Sequence, residues 1–174
     1  DWHYKTGQKY MDAPASVRAL MQNVSRNGTM LLNLTQHGRG DLDPEVVRIC
    51  QDVGAWLKTN GEAIYSSRPF EVSGEGQTHF TRNHGQVYAT VLDWTGGPIT
   101  IKALRAGGAT LGKISKFELL GSYVPLAFVQ DDRGLTVTPG ATATPLPGIA
   151  SEPLAANGRV LRITHDKGWF NDDD

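Results

Sequence analysis

Thr29-Met30-Leu31-Leu32-Asn33-Leu34, the loop Gln36-His37-Gly38-Arg39-Gly40-Asp41, and the segment from Asp43-Pro44-Glu45-Val46 to Asn60-Gly61 together decide the reading of the fold. The first run is short, nearly continuously apolar and preceded by Gly28, the pattern of a parallel strand covered on both faces. Asp43 suits an N-cap, Pro44 suits the first helical position, and Glu45 lies where the helix dipole favours negative charge. Val46, Ile49, Cys50, Val53, Trp56 and Leu57 recur at helical spacing, and Asn60-Gly61 supplies a stop. Buried strand, loop and capped helix make a βα unit, the grammar of a parallel α/β fold.

Upstream, Pro14 opens another helix whose Val17, Leu20, Met21 and Val24 share one stripe, and Asn27-Gly28 ends it. Downstream of about residue 62 the pattern changes to short β-rich runs separated by Gly, Pro, Asn and Asp. Thr78–Arg82 and Gln86–Leu92 flank Asn83-His84-Gly85 as a hairpin. Pro98–Leu104, Lys113–Leu120, Tyr123–Gln130, Gly134–Thr138 and Arg159–Thr164 bring the total to roughly seven or eight strands, the spacing of a β-sandwich. Pro139–Pro153 carries four of the nine prolines and reads as an exposed connection, with Asn171–Asp174 as a solvated tail.

Among 174 residues, 17 Lys and Arg face 18 Asp and Glu without a basic run, so neither nucleic acid nor an anionic membrane surface is an expected partner. The apolar runs fall far short of the roughly twenty residues of a bilayer span. The single cysteine, Cys50, permits no internal disulfide and no multi-cysteine metal site. No dinucleotide-binding glycine pattern precedes a helix and no nucleophile elbow occurs, so no cofactor and no metal are expected. The chain opens Asp1-Trp2-His3-Tyr4, with neither an initiator Met nor a leader pattern, and reads as a truncated or processed product.

Ligands of parallel α/β folds bind at the carboxyl ends of strands, which singles out Asn33, Gln36 and His37. Against that stands the plain alternative of polar loop residues bonding locally. Trp2, His3 and Tyr4 suit a sugar-stacking pocket or, equally, a frayed terminus. His79 and His84 flank the predicted turn without an intervening acid and are expected on the hairpin surface. Arg39-Gly40-Asp41 matches an integrin tripeptide but reads as a turn before a helix. Sequons begin at Asn23, Asn27 and Asn33; the first lies on the helix and the third in the predicted strand, where a glycan would clash with packing.

The run Val24-Ser25-Arg26-Asn27-Gly28-Thr29-Met30-Leu31-Leu32-Asn33-Leu34, then Gly40-Asp41-Leu42-Asp43, then Val53-Gly54-Ala55-Trp56-Leu57-Lys58-Thr59-Asn60-Gly61-Glu62-Ala63-Ile64-Tyr65, resembles the end of the α-L-fucosidases of glycoside hydrolase family twenty-nine. Asp1-Trp2-His3-Tyr4 resembles a Trp-Gly-Tyr segment of that family, with His3 in the glycine place. Phe80-Thr81-Arg82, Val87-Tyr88-Ala89, Ile114–Gly121 and Gly134–Val137 resemble its C-terminal sandwich.

The resemblance implies an α+β chain: a short βα remnant of a (β/α) barrel, residues 1–66, packed on an antiparallel β-sandwich, residues 67–174. It implies a fucosylated glycan or fucoside as ligand, with Trp2 and Tyr4 lining its pocket, and it fits a secreted or periplasmic setting; Asn33 and His37 join the candidate pocket by their place after the predicted strand. The family's nucleophile Asp and acid/base Glu belong to segments upstream of the Trp-Gly-Tyr region. Retaining glycosidases need two carboxyl groups about 5 to 5.5 Å apart, and the candidates here are Asp41, in a turn, Asp43, occupied as an N-cap, and Glu62, beyond the helix stop. Fewer than 70 residues cannot close a barrel of about 250. The apolar helix stripes are then expected to dock on the sandwich or to drive homo-oligomerisation. Three functions follow: an inactive portion of a fucosidase, a shortened enzyme completing its site in an oligomer, or a non-catalytic carbohydrate-binding or structural module.

Overall fold

The computed structural model describes residues 2–94, 97–108, 111–122, 126–138 and 158–166. The connection expected at Pro139–Pro153, the acidic tail and Tyr123–Pro125 lie outside the described residues. Helix α1 spans Ala13–Val24; the Asp12 carboxylate caps it by accepting from the Ala15 N–H at 2.8 Å. It ends where expected: Asn27 turns left-handed at φ 63° and the Gly28 N–H closes on the Asn23 carbonyl at 2.8 Å. Helix α2 spans Pro44–Asn60 and runs into a 3₁₀ turn at Gly61–Ala63. Gly61 has an ordinary helical φ of −61°; what it provides is room, because a Cβ there would lie 2.6 Å from the Tyr65 ring.

Eight strands follow among the described residues: β1 Arg68–Glu75, β2 Thr78–Asn83, β3 Gln86–Val91, β4 Ile99–Ile101, β5 Ile114–Leu119, β6 Ala127–Asp131, β7 Gly134–Thr138 and β8 Arg159–His165. They form two antiparallel sheets, one ordered β1-β2-β3-β8-β5 and one ordered β4-β7-β6. The β2–β3 hairpin turns on His84 and Gly85, both at positive φ, the two-residue geometry that matches strand twist. Strand β1 has no counterpart in the sequence reading.

The core is layered. Phe80, Val87, Ala89, Val91, Leu161 and Ile163 of the larger sheet pack with Ile101, Leu135 and Val137 of the smaller one. Side chains alternate across a strand, so Tyr88 and Val160 point the other way and, with Leu92, meet Val17 and Met21 of α1 and Trp56 of α2. Strands β3 and β8 are thereby covered on both faces, and the helices dock on the sandwich. The α+β architecture, two helices over two antiparallel sheets, agrees with the sequence reading.

One element differs. Thr29–Leu34 forms no strand, and Leu31 is 83% exposed. A strand needs neighbours to bond its N–H and C=O groups, and no described segment pairs with this one. Asn33, expected inside that strand, is exposed. His79, expected on the hairpin surface, is buried on β2, whereas His84 is exposed. Among the described residues no helix is long and apolar enough to cross a membrane, and no group of three or more His, Cys, Asp and Glu gathers that could hold a metal ion.

Candidate functional site

The loop between residues 35 and 43 is pinched by two backbone bonds, His37 N–H to the Asp41 carbonyl at 2.9 Å and Gly40 N–H to the His37 carbonyl at 2.8 Å. The segment preceding α1 crosses this loop. Gln8 donates to the Thr35 hydroxyl, Tyr10 donates its phenol proton to Asp43, and the Tyr4 ring lies on the His37 imidazole with centroids 4.0 Å apart and planes tilted by 37°.

Asp43 occupies the N-cap position, and its carbonyl accepts the first α2 bond, from Val47, at 3.1 Å. Its carboxylate, expected to cap the helix, does not. Pro44 brings no N–H to the first turn, and two stronger donors draw the carboxylate away: Tyr10 Oη, and His37 Nε2 at 2.8 Å. The Tyr10 bond, assisted by His37 against the opposing effect of burial, holds Asp43 below the usual carboxylate range. The same bond raises the Tyr10 phenol, and burial adds to it.

Asp41 takes both of its bonds from Arg39 Nε, at 2.7 and 2.8 Å, and that pairing lowers its pKa. The guanidinium and carboxylate of the Arg-Gly-Asp tripeptide are therefore tied to each other, not presented apart. Glu62 sits beyond the opposite end of α2, 3.1 Å from the Arg162 guanidinium, which also holds Glu118 at 2.9 Å. A 17-residue helix is about 25 Å long, so Glu62 and Asp43 do not share a site.

Of the residues anticipated from sequence, the structure brings Tyr4, His37 and Asp43 into contact, with Asp41 bonded into the same loop. Trp2 stands 83% exposed, and Asn33 is exposed on the extended run. Tyr10 was missed: it lies outside both helical stripes, and nothing in linear spacing joins residue 10 to residue 43. Chemically, the cluster offers an imidazole oriented by a carboxylate, an aromatic face beside it, and hydroxyl groups, all partly open to solvent.

A family model described as alpha-L-fucosidase matches residues 1–62. An alpha-L-fucosidase of Branchiostoma floridae is 31% identical over 144 residues, which cover 79% of this chain and 31% of that protein. Alpha-L-fucosidase isoenzyme 1 from Paenibacillus thiaminolyticus superposes with a TM-score of 0.76 at 24% identity, over 95% of this chain and 38% of that one. The alpha-fucosidase of Thermotoga maritima, solved in complex with fucose, gives 0.72 at 21% identity, over 94% and 37%. The chain thus spans about a third of the length of the relatives it matches.

Proposed function

We propose that this chain, a member of the α-L-fucosidase family of glycoside hydrolases, is the C-terminal portion of a retaining fucosidase: residues 1–66 the last βα segment of its catalytic barrel, residues 67–174 its sandwich domain. The observation that carries this reading is the exposed run Leu31–Leu34. It is apolar enough for the interior of a sheet yet pairs with no described strand, and it sits between two helices already docked on the sandwich. Its missing neighbours belong to the rest of the barrel.

The carboxylates support the same reading. A retaining enzyme needs a nucleophile and an acid about 5 to 5.5 Å apart, and the acid's pKa must be raised. Asp41 and Asp43 are both pushed down by their partners, and Glu62 lies a helix length away. None of the three acts as the acid, and the chain alone does not hydrolyse fucosides. In the whole enzyme the loop carrying His37 and Asp43, with the Tyr4 ring laid on it, faces a terminal α-L-fucosyl group.

Exposed Leu31, Leu32 and Leu34, with Trp2 exposed as well, favour one second reading: copies of the chain associate through these apolar side chains and share a site. Purified chain incubated with a chromogenic α-L-fucoside decides between them, with light scattering to report oligomer size. No turnover is expected. Turnover abolished by Asp41→Asn, Asp43→Asn or Glu62→Gln would instead establish a site built from this chain.

A further inference from the structure

A carboxylate at a helix N-cap position ordinarily turns inward to the first-turn N–H groups. That of Asp43 turns outward and spends both oxygens on side chains, Oδ2 on Tyr10 Oη, 33 residues away in sequence, and Oδ1 on His37 Nε2 of the same loop. An ionised carboxylate only accepts, so the imidazole must carry its proton on Nε2. The phenol of Tyr10 fixes the carboxylate plane, Tyr4 covers one face of the imidazole, and the two loop bonds of His37 fix its backbone. Asp41 does not compete, being occupied by Arg39. The His37 side chain remains 18% exposed, so its other nitrogen is within reach of a ligand.

We propose that Asp43 and Tyr10 are positioning residues that hold His37 as the Nε2–H tautomer, leaving Nδ1 to accept a hydroxyl of a saccharide resting beside the Tyr4 ring. The saccharide half rests on the fucosidase reading; the tautomer half does not. Outer hydrogen bonds that fix an imidazole's tautomer decide what its free nitrogen can do.

A long-range ¹H–¹⁵N correlation spectrum of the uniformly labelled full chain reads the protonation of each ring nitrogen directly. The expected result is a bare Nδ1 and a protonated Nε2 for His37. Asp43→Ala should give mixed tautomers, Tyr10→Phe a smaller change in the same direction, and Asp43→Glu partial recovery. Circular dichroism identifies any variant that fails to fold, and Tyr10→Phe keeps the test open if Asp43→Ala is one of them. Added L-fucose should move the Nδ1 resonance in a saturable way, and Asp43→Ala should weaken that response about tenfold, the worth of one hydrogen bond. A protonated Nδ1 with a bare Nε2, or a tautomer indifferent to both substitutions, overturns the positioning role. A bare Nδ1 that ignores fucose overturns the ligand role. Fucoside turnover by the chain would refute the fucosidase-portion reading while leaving the tautomer result intact.

Discussion

Trp56→Phe tests how the helix layer is held to the sandwich. Trp56 is fully buried between α2 and the five-stranded sheet, and its indole N–H donates to the Gly158 carbonyl at 2.8 Å, at the start of β8. Phe keeps an aromatic ring there but loses the donor and part of the volume. A buried carbonyl left short of its partner costs about 1–2 kcal/mol, and the incompletely filled space costs about 1–2 more. The sum, about 2–4 kcal/mol, corresponds to a fall in Tm of roughly 5–12 °C for a chain of this size. Urea unfolding followed by far-ultraviolet circular dichroism and by tryptophan fluorescence measures it. Both probes should give one transition, because Tyr88 and Val160, under the helices, alternate along β3 and β8 with Ala89 and Leu161 of the sandwich core. A loss below about 1 kcal/mol, or two separated transitions, would refute the claim that one sheet serves both layers.

Tyr88 is buried, and burial, assisted by Glu62, pushes its phenol up to about 12. The folded chain therefore holds the proton more tightly than the unfolded one, and the stability it contributes is complete below pH 10 and lost as pH rises toward 12. That loss is about 2–3 kcal/mol, and alkaline titration of stability in Tyr88→Phe should lack it. His79 is shifted the other way, by burial first and then by Arg26 and Arg18. Its contribution is present above the ordinary histidine pKa of 6.5 and falls as pH drops through the lowered value; His79→Gln should flatten the acid limb of a stability–pH curve below pH 6.5. Glu62→Gln should cost less than about 1 kcal/mol in urea unfolding, because Glu62 and Arg162 are 40% and 32% exposed. Gly134→Ala should cost about 1–3 kcal/mol or more, since its Cβ would stand 2.7 Å from the Ile101 carbonyl oxygen.

The helices were legible because their signals are local: Pro14, Asp43 and Pro44, and the apolar stripes all act within a turn or two; the Asp12 cap of α1 went unread. So was the β2–β3 hairpin, whose Gly85 sits in a left-handed turn. The strand read at Thr29–Leu34 depends on something no window of sequence contains, namely partners for its backbone, and an apolar run cannot supply them itself. Strand β1 was overlooked for the opposite reason. As an edge strand it tolerates Pro69, breaks register between Pro69 and Gly74, and leaves Glu71 and Val72 exposed, so it carries no clean alternation. At the site, His37 followed from its place after the apolar run, whereas Tyr10 and the outward turn of Asp43 depend on two segments crossing.

That crossing is stabilised from a distance. The exit of α2 is fastened to the sheet by Thr81 Oγ1 donating to the Ala63 carbonyl at 2.8 Å, by Asn83 donating to the Glu62 and Tyr65 carbonyls at 2.8 and 3.1 Å, and by Arg162 reaching Glu62. The Trp56 bond adds a further anchor one turn earlier. A helix is stiff along its axis, so fixing one end over β2, β3 and β8 fixes where its first residues stand. Asp43 immediately precedes those residues, and His37 and Tyr10 are bonded to it. The sandwich thus does more than bury the back of the helices: through α2 it sets the position of the His37 ring, and substitutions at Thr81 or Asn83, far along the chain from the loop, should disturb the tautomer signal of His37 as well as stability.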